Sequence, residues 1–202
     1  AEVKRTCPDF DLLDVVPASI DLSGAELEVA DMENRNVLLK TAVDEFLETS
    51  EEHYDYVIID CPPSLGLLVI NAMCAVHEML IPIQAEYYAL EGLGQLINTI
   101  GLVQEHFNPS LLVSTMLITM FDKRTLLSRE VHDEVKNHYP TIVLNTTIPR
   151  TVKISEAPSF NQSVIAYDPK GMGAIAYCEA ALEIARRSQT VLKAIDARRN
   201  EN

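Results

Sequence analysis

Paired cysteines, long apolar runs and an excess of bases are all missing from this 202-residue chain. The four cysteines, Cys7, Cys61, Cys74 and Cys178, are scattered, with no C-x-x-C pair and no histidine at zinc spacing. A disulfide framework and a zinc site are therefore not expected, and the cysteines read as small thiols in a reducing compartment. His132 and His138 fall on different sides of a helix, and no H-E-x-x-H occurs. No apolar run reaches the roughly 18 residues of a membrane span, and the N-terminus lacks the charged-then-apolar layout of a secretory signal. The sequence thus predicts a soluble, cytoplasmic chain. Bases are scarce as well: 16 Lys+Arg face 30 Asp+Glu, a formal charge of -14. That balance argues against a histone-like polyanion binder. The acid load is nevertheless uneven, with net -11 over residues 1–55, -5 over 56–146 and +2 over 147–202. A local basic patch late in the chain stays possible on this count.

What is present is a core. With 48% hydrophobic residues, a chain of this size buries roughly 70% of its unfolded surface, which excludes a disordered segment. Asp11–Ser19 reads as a short strand ended by Pro17, and Ser23–Thr49 as one or two helices with a polar outer face. Tyr56–Asp60 (YVIID) is a β-branched run of the kind buried in a parallel sheet. A helix over Leu65–Ala75, a strand over Met79–Gln84 and a helical stripe from Leu90 to Phe107 follow. After them come a strand over Leu111–Thr119, a helix over Thr125–His138, a strand over Thr141–Ile148 and a long helix from Gly173 to Arg198. This alternation predicts an α/β fold, a doubly wound, mostly parallel sheet with helices on both faces. No repeat, low-complexity stretch or linker divides the chain, so one domain over 1–202 is expected, with a frayed tail over 188–202.

In such sheets ligands sit beyond the carboxyl ends of the strands, which directs attention to Asp60. An apolar strand ending in Asp is how a nucleotide hydrolase holds an acid near magnesium, usually through water. The following Cys61-Pro62-Pro63 cannot extend a ladder, so the chain must swing away. The same pattern also serves as a plain turn or helix cap.

The runs VIIDCPPSLGLL, IPIQAEYYALEGLGQL, MFDKRT, IPRTVKISEAPSF and YDPKGMGAIAY occur in an order that closely resembles the ParA/Soj family of deviant Walker ATPases, which partition bacterial chromosomes and plasmids. The resemblance runs from about Leu12 to about Arg187. It implies a P-loop-type nucleotide site using ATP and Mg2+. Asp60 would be the metal-side acid of switch II, acting through water, with Pro62 and Pro63 shaping the loop that senses the γ-phosphate. Gln84, Glu86 and Tyr87 would lie near the nucleotide and the dimer interface, although Tyr87-Tyr88 also fits ordinary amphipathic packing. Thr119, Met120 and Asp122 would occupy the base-recognition position, and Pro149 and Arg150 would flank the adenine. Asp122 could equally cap the next helix.

The family's phosphate loop, G-x-x-x-x-G-K-S/T, is not among these residues, since none of the seven glycines is followed by Lys. Positioning and electrostatics supply nearly all phosphoryl-transfer catalysis, so the 202 residues are not expected to hydrolyse ATP alone. A missing sheet strand would also leave unpaired edges, so an isolated chain is expected to be unstable.

The resemblance further implies an ATP-driven homodimer, a ParB-type centromere-binding partner that stimulates hydrolysis, and a nucleoid location. Non-specific DNA contact is implied for Arg150, Lys153 and Lys170 in the net-positive segment. Met172 departs from the family, which often carries a basic residue there, and shifts attention to Arg186 and Arg187; a solvated helix face accounts for that pair as well. A MinD-like membrane ATPase is disfavoured because the tail RSQTVLKAIDARRNEN lacks bulky apolar anchors. An iron-sulfur reductase is disfavoured because no second cysteine is suitably placed. A non-catalytic module that binds a homologue or a ParB-like protein remains as the alternative of a different class.

Overall fold

A computed structural model describes residues 3–8 and 10–201, apart from the side chains of Ser23 and 188–201. The chain divides into two units, residues 1–76 and 77–202.

In the first unit, β1 (Arg5–Thr6) pairs antiparallel with β2 (Asp14–Val15), and three helices follow: α1 (Leu22–Val29), α2 (Leu38–Thr49) and α3 (Leu67–Ala75). On α2 the half-buried Leu39, Val43 and Phe46 recur at i, i+4 and i+7, one stripe of a helix. Asn71 joins α2 to α3: its Oδ1 accepts from the Leu39 amide at 3.2 Å, and its Nδ2 donates to the Arg35 and Leu67 carbonyls at 2.6 and 3.0 Å. Both N–H donors and the carbonyl oxygen of that buried side chain are partnered, as a core amide requires. Glu26 caps α3 by accepting from the Leu68 amide at 3.1 Å, and a Cβ on Gly66 would come within 2.4 Å of the same carboxylate.

Two strand expectations fail here. The strand over Asp11–Ser19 shrinks to the two residues of β2. Tyr56–Asp60 forms no strand, and Tyr56 and Ile58 are 58% and 89% exposed. A β-branched run favours extended backbone, but a ladder needs a neighbour, and among the described residues none pairs with it.

In the second unit, β3 (Glu78–Gln84) runs parallel to β4 (Leu112–Thr119), joined through α4 (Tyr88–His106). Ser114–Ile118 of β4 are consecutively buried, the pattern of a strand covered on both faces. On β3 Ile81 and Ile83 are buried while Leu80 and Pro82 are exposed; Pro82 lacks an N–H and sits on a strand laddered only to β4 among the described residues. Leu93, Ile100 and Val103 of α4 are buried, as are Val131 and Val135 of α5 (Leu126–His138). Beyond lie α6 (Val152–Glu156), a 3-10 turn over Ala157–Phe160, α7 (Val164–Tyr167) and α8 (Met172–Glu201). The frayed tail expected over 188–202 falls on side chains outside the described residues.

Thr141–Ile148 is a further correction. Only Val143 and Pro149 bridge to β4 and its extension, at Met116 and Phe121, both in parallel. Between them the amides of Asn145 and Thr146 turn to the carboxylate of Glu183 on α8. Where the ladder is interrupted, a side chain takes its donors. Leu144 and Ile148 still pack with Leu117, Ala176 and Ala180, closing α8 onto the sheet. The expected five β units therefore reduce, among the described residues, to one parallel pair and a bridged third segment in the second unit and a small antiparallel pair in the first, while the α/β class stands.

Candidate functional site

Three segments of the second unit meet where β3, β4 and the bridged segment end. The Ala85 amide donates to the Thr119 carbonyl at 2.9 Å, and Thr119 Oγ1 donates to the Ile83 carbonyl at 3.4 Å. The Phe121 amide donates to Ile148 O at 3.0 Å, and the Arg150 amide returns the bond to Phe121 O at 3.0 Å. Gln84–Glu86, Thr119–Asp122 and Pro149–Arg150 thus form one edge, at the carboxyl ends where α/β sheets place ligands. Met120 has φ 54°, a left-handed conformation that a non-glycine residue adopts at a cost of about 1 kcal/mol. Such strain turns the chain sharply at the end of β4.

Across this edge Arg150 Nη1 lies 3.4 Å from Glu86 Oε1, with both side chains about half exposed. An ion pair that open contributes about 0–1 kcal/mol and leaves the guanidinium free to exchange partners. Asp122 is gripped more firmly. Arg124 donates from Nε at 2.9 Å and from Nη2 at 2.7 Å, and its amide donates at 3.0 Å. These bonds hold the Asp122 carboxyl down at about 2. Asp122 does not cap α5: Thr125 does, its side chain accepting from the Ser128 amide at 3.3 Å. Tyr87 and Tyr88 are 69% and 79% exposed and meet edge to face at 5.6 Å, so they do not pack into the core.

Asp60 lies in the first unit, exposed, and makes no hydrogen bond or ion pair among the described residues. Pro62 and Pro63 beside it are exposed too. Burial, then the charge of Asp60, push the Cys61 thiol up. No group of three or more His, Cys, Asp or Glu residues able to hold a metal occurs among the described residues. A single exposed carboxylate is the kind of donor that would hold magnesium through the ion's own water shell.

The late basic residues are not one patch. Lys153 pairs with Glu156 at 3.1 Å and stands 5.2 Å over the Tyr167 ring. A Cβ on Gly173 would come within 2.8 Å of Ile154, so the first turn of α8, which follows Lys170, abuts α6. Arg186 lies fourteen residues along α8 from Met172, roughly 20 Å away at 1.5 Å per residue. Both Lys170 and Arg186 are exposed and lack an ion pair among the described residues. Arg187, read from the sequence as a solvated or DNA-facing base, is instead committed to the fold. It donates to Glu183 at 2.6 Å and to the carbonyls of Thr141, Ile142 and Val143 at 3.2–3.4 Å. Burial alone would push the Glu183 carboxyl up, but the Asn145 and Thr146 amides, the Thr146 hydroxyl and Arg187 outweigh it and hold the group low. The i, i+4 spacing of Glu183 and Arg187 was the available signal for this pair; its backbone partners had none.

The three segments form the carboxyl edge of an α/β sheet, and comparison with known proteins shows the family to which such a sheet belongs here. A family described as an AAA domain matches residues 2–113. The sporulation initiation inhibitor protein Soj of Bacillus subtilis is 51% identical over 173 residues, covering 86% of this chain and 67% of that protein. The chromosome partitioning protein ParA of Myxococcus xanthus is 46% identical over 175 residues, covering 87% of this chain and 60% of its own length. The crystal structure of cobyrinic acid a,c-diamide synthase from Mycobacterium smegmatis, with bound ADP and magnesium, superimposes with a TM-score of 0.76 at 35% identity. That match covers 93% of this chain and 67% of the synthase. The chain belongs to the ParA/Soj family of partitioning ATPases. It spans about 60–67% of the lengths of these proteins. No helix among the described residues is long and apolar enough to cross a membrane.

Proposed function

We propose that these residues form the base side and the DNA side of a partitioning ATPase that acts on chromosomal or plasmid DNA. The observation that carries the reading is the meeting of Gln84–Glu86, Thr119–Asp122 and Pro149–Arg150 at one carboxyl edge, in a chain of this family. Arg150 and the strained turn at Met120 would contact the base and sugar of ATP. Asp60 would hold magnesium through water, and Pro62 and Pro63 would shape the loop facing the terminal phosphate. Glu86 and Tyr87 would serve the interface of an ATP-bound dimer. When bound, magnesium supplies charge neutralisation of the phosphates. Lys153, Lys170 and Arg186 would meet DNA phosphates without reading sequence, and a ParB-type partner would stimulate turnover of the complete catalytic machinery in the cytoplasm, at the nucleoid. The phosphate loop is absent from these 202 residues, so base-side contacts alone would bind nucleotide weakly.

Calorimetric titration with magnesium and ATP tests the reading. Saturable heat that falls in Arg150→Ala is expected. A flat titration at high protein concentration favours instead a non-catalytic module that binds a homologue or a ParB-like protein, for which no nucleotide is needed.

A further inference from the structure

We propose that Glu183 and Arg187 of α8 are positioning residues that lock a one-residue bulge in segment 141–150 and thereby set which residues reach the carboxyl edge. From the Met116–Val143 bridge to the Phe121–Pro149 bridge, the β4 side advances five residues and the facing segment six. One residue is therefore surplus, and a surplus residue leaves ladder donors unpaired. The Glu183 carboxylate takes them. It accepts from the amides of Asn145 at 2.9 Å and Thr146 at 3.1 Å, from Asn145 Nδ2 at 3.2 Å and from Thr146 Oγ1 at 3.1 Å. Arg187 holds the other sign of the same backbone, the carbonyls of Thr141, Ile142 and Val143, and ties itself to Glu183. Lys136 adds a third contact, to Val143 O at 3.2 Å and Asn145 Oδ1 at 3.1 Å.

The consequence lies downstream. A slip of one residue turns every side chain of a strand to the opposite face. If the surplus residue were absorbed elsewhere, Pro149 would no longer oppose Phe121, and Arg150 would leave Glu86. Glu183 thus acts on the edge through backbone register, from one helix side of the sheet. A displacement of α8 would be felt at Arg150 through the register of segment 141–150. The role of the edge itself rests on the nucleotide reading above; the register lock does not.

Amide hydrogen exchange on the 202-residue protein tests the lock with Glu183→Gln, which keeps size but loses charge and one acceptor oxygen. Protection is expected to fall about tenfold or more at Asn145 and Thr146, and also at Phe121 and Arg150, while the β3–β4 ladder keeps its protection. Loss confined to Asn145 and Thr146, or uniform loss across β3 and β4, overturns the proposal. If Glu183→Gln leaves no protected core, Thr146→Val decides, because it deletes one hydroxyl donor and should give the same local pattern in milder form. Its failure to do so also overturns the lock. The magnesium–ATP titration separates this inference from the reading it rests on. A local exchange pattern in a protein that binds no nucleotide sinks the nucleotide site and leaves the lock. Nucleotide binding unchanged in Glu183→Gln, with protection at Phe121 and Arg150 also unchanged, sinks the lock alone.

Discussion

Ile148→Ala is expected to lower the stability of the second unit by about 3–5 kcal/mol, the usual cost of emptying a closed aliphatic site. Ile148 is 2% exposed and packs among Leu117, Leu144, Ala176 and Ala180, with Ile154 and Ile184 at the margin. Its amide donates to Ile118 O at 2.8 Å and its carbonyl accepts from Phe121 at 3.0 Å, so the neighbouring backbone is pinned and cannot collapse into the void. A loss of that size is a large share of the ~5–15 kcal/mol that holds an ordinary domain. In urea the midpoint should fall with the slope unchanged. Leu182→Ala, on the 56% exposed face of α8, is the control and should stay within about 0.5 kcal/mol. Equal effects from the two would mean that α8 does not close the core at Ile148.

DNA affinity should depend steeply on salt. If Lys153, Lys170 and Arg186 each meet a phosphate, the slope of log K against log salt is about -2.7, and affinity falls roughly 40-fold between 50 and 200 mM. The separation of roughly 20 Å between Met172 and Arg186 is about six phosphate steps along one strand, so a single duplex could reach both ends. Lys170→Ala and Arg186→Ala should each reduce the slope by about 0.9, equally for any sequence. Lys153 must first give up Glu156, but a surface pair of this kind resists by only about 0–1 kcal/mol. Arg187→Ala should leave the slope intact, because its guanidinium already serves the Thr141–Val143 carbonyls. Fluorescence anisotropy on a random duplex measures all of these. Affinity that is flat in salt, or a slope that drops with Arg187 and not with Lys170, contradicts the assignment.

Much of the second unit could be read from the sequence because its signals are local. Met79–Gln84 and Leu111–Thr119 are apolar runs of strand length, and Leu93, Ile100 and Val103 mark the buried side of α4. Thr125–His138 carries its own cap. What could not be read depends on distant partners. YVIID has the composition of a buried strand, but composition does not supply a ladder neighbour, and Ile58 is exposed. Thr141–Ile148 reads as one strand, yet its middle amides go to a carboxylate thirty-seven or thirty-eight residues away. The site divides in the same way. Thr119, Met120, Pro149 and Arg150 were expected at strand ends and stand there, whereas the Arg124 grip on Asp122 and the commitment of Arg187 needed side-chain geometry. Asp60 is legible from the pattern of an apolar run ending in a carboxylate, but its exposure and lack of a partner among the described residues are not.

Phosphate release by the purified 202-residue protein, with saturating magnesium, ATP and DNA, tests most directly the claim that these residues carry a metal-side acid, a base-side edge and DNA-facing cations but no phosphate cradle. The account predicts no release above the magnesium–ATP background. Magnesium-dependent release that disappears in Asp60→Ala would contradict it.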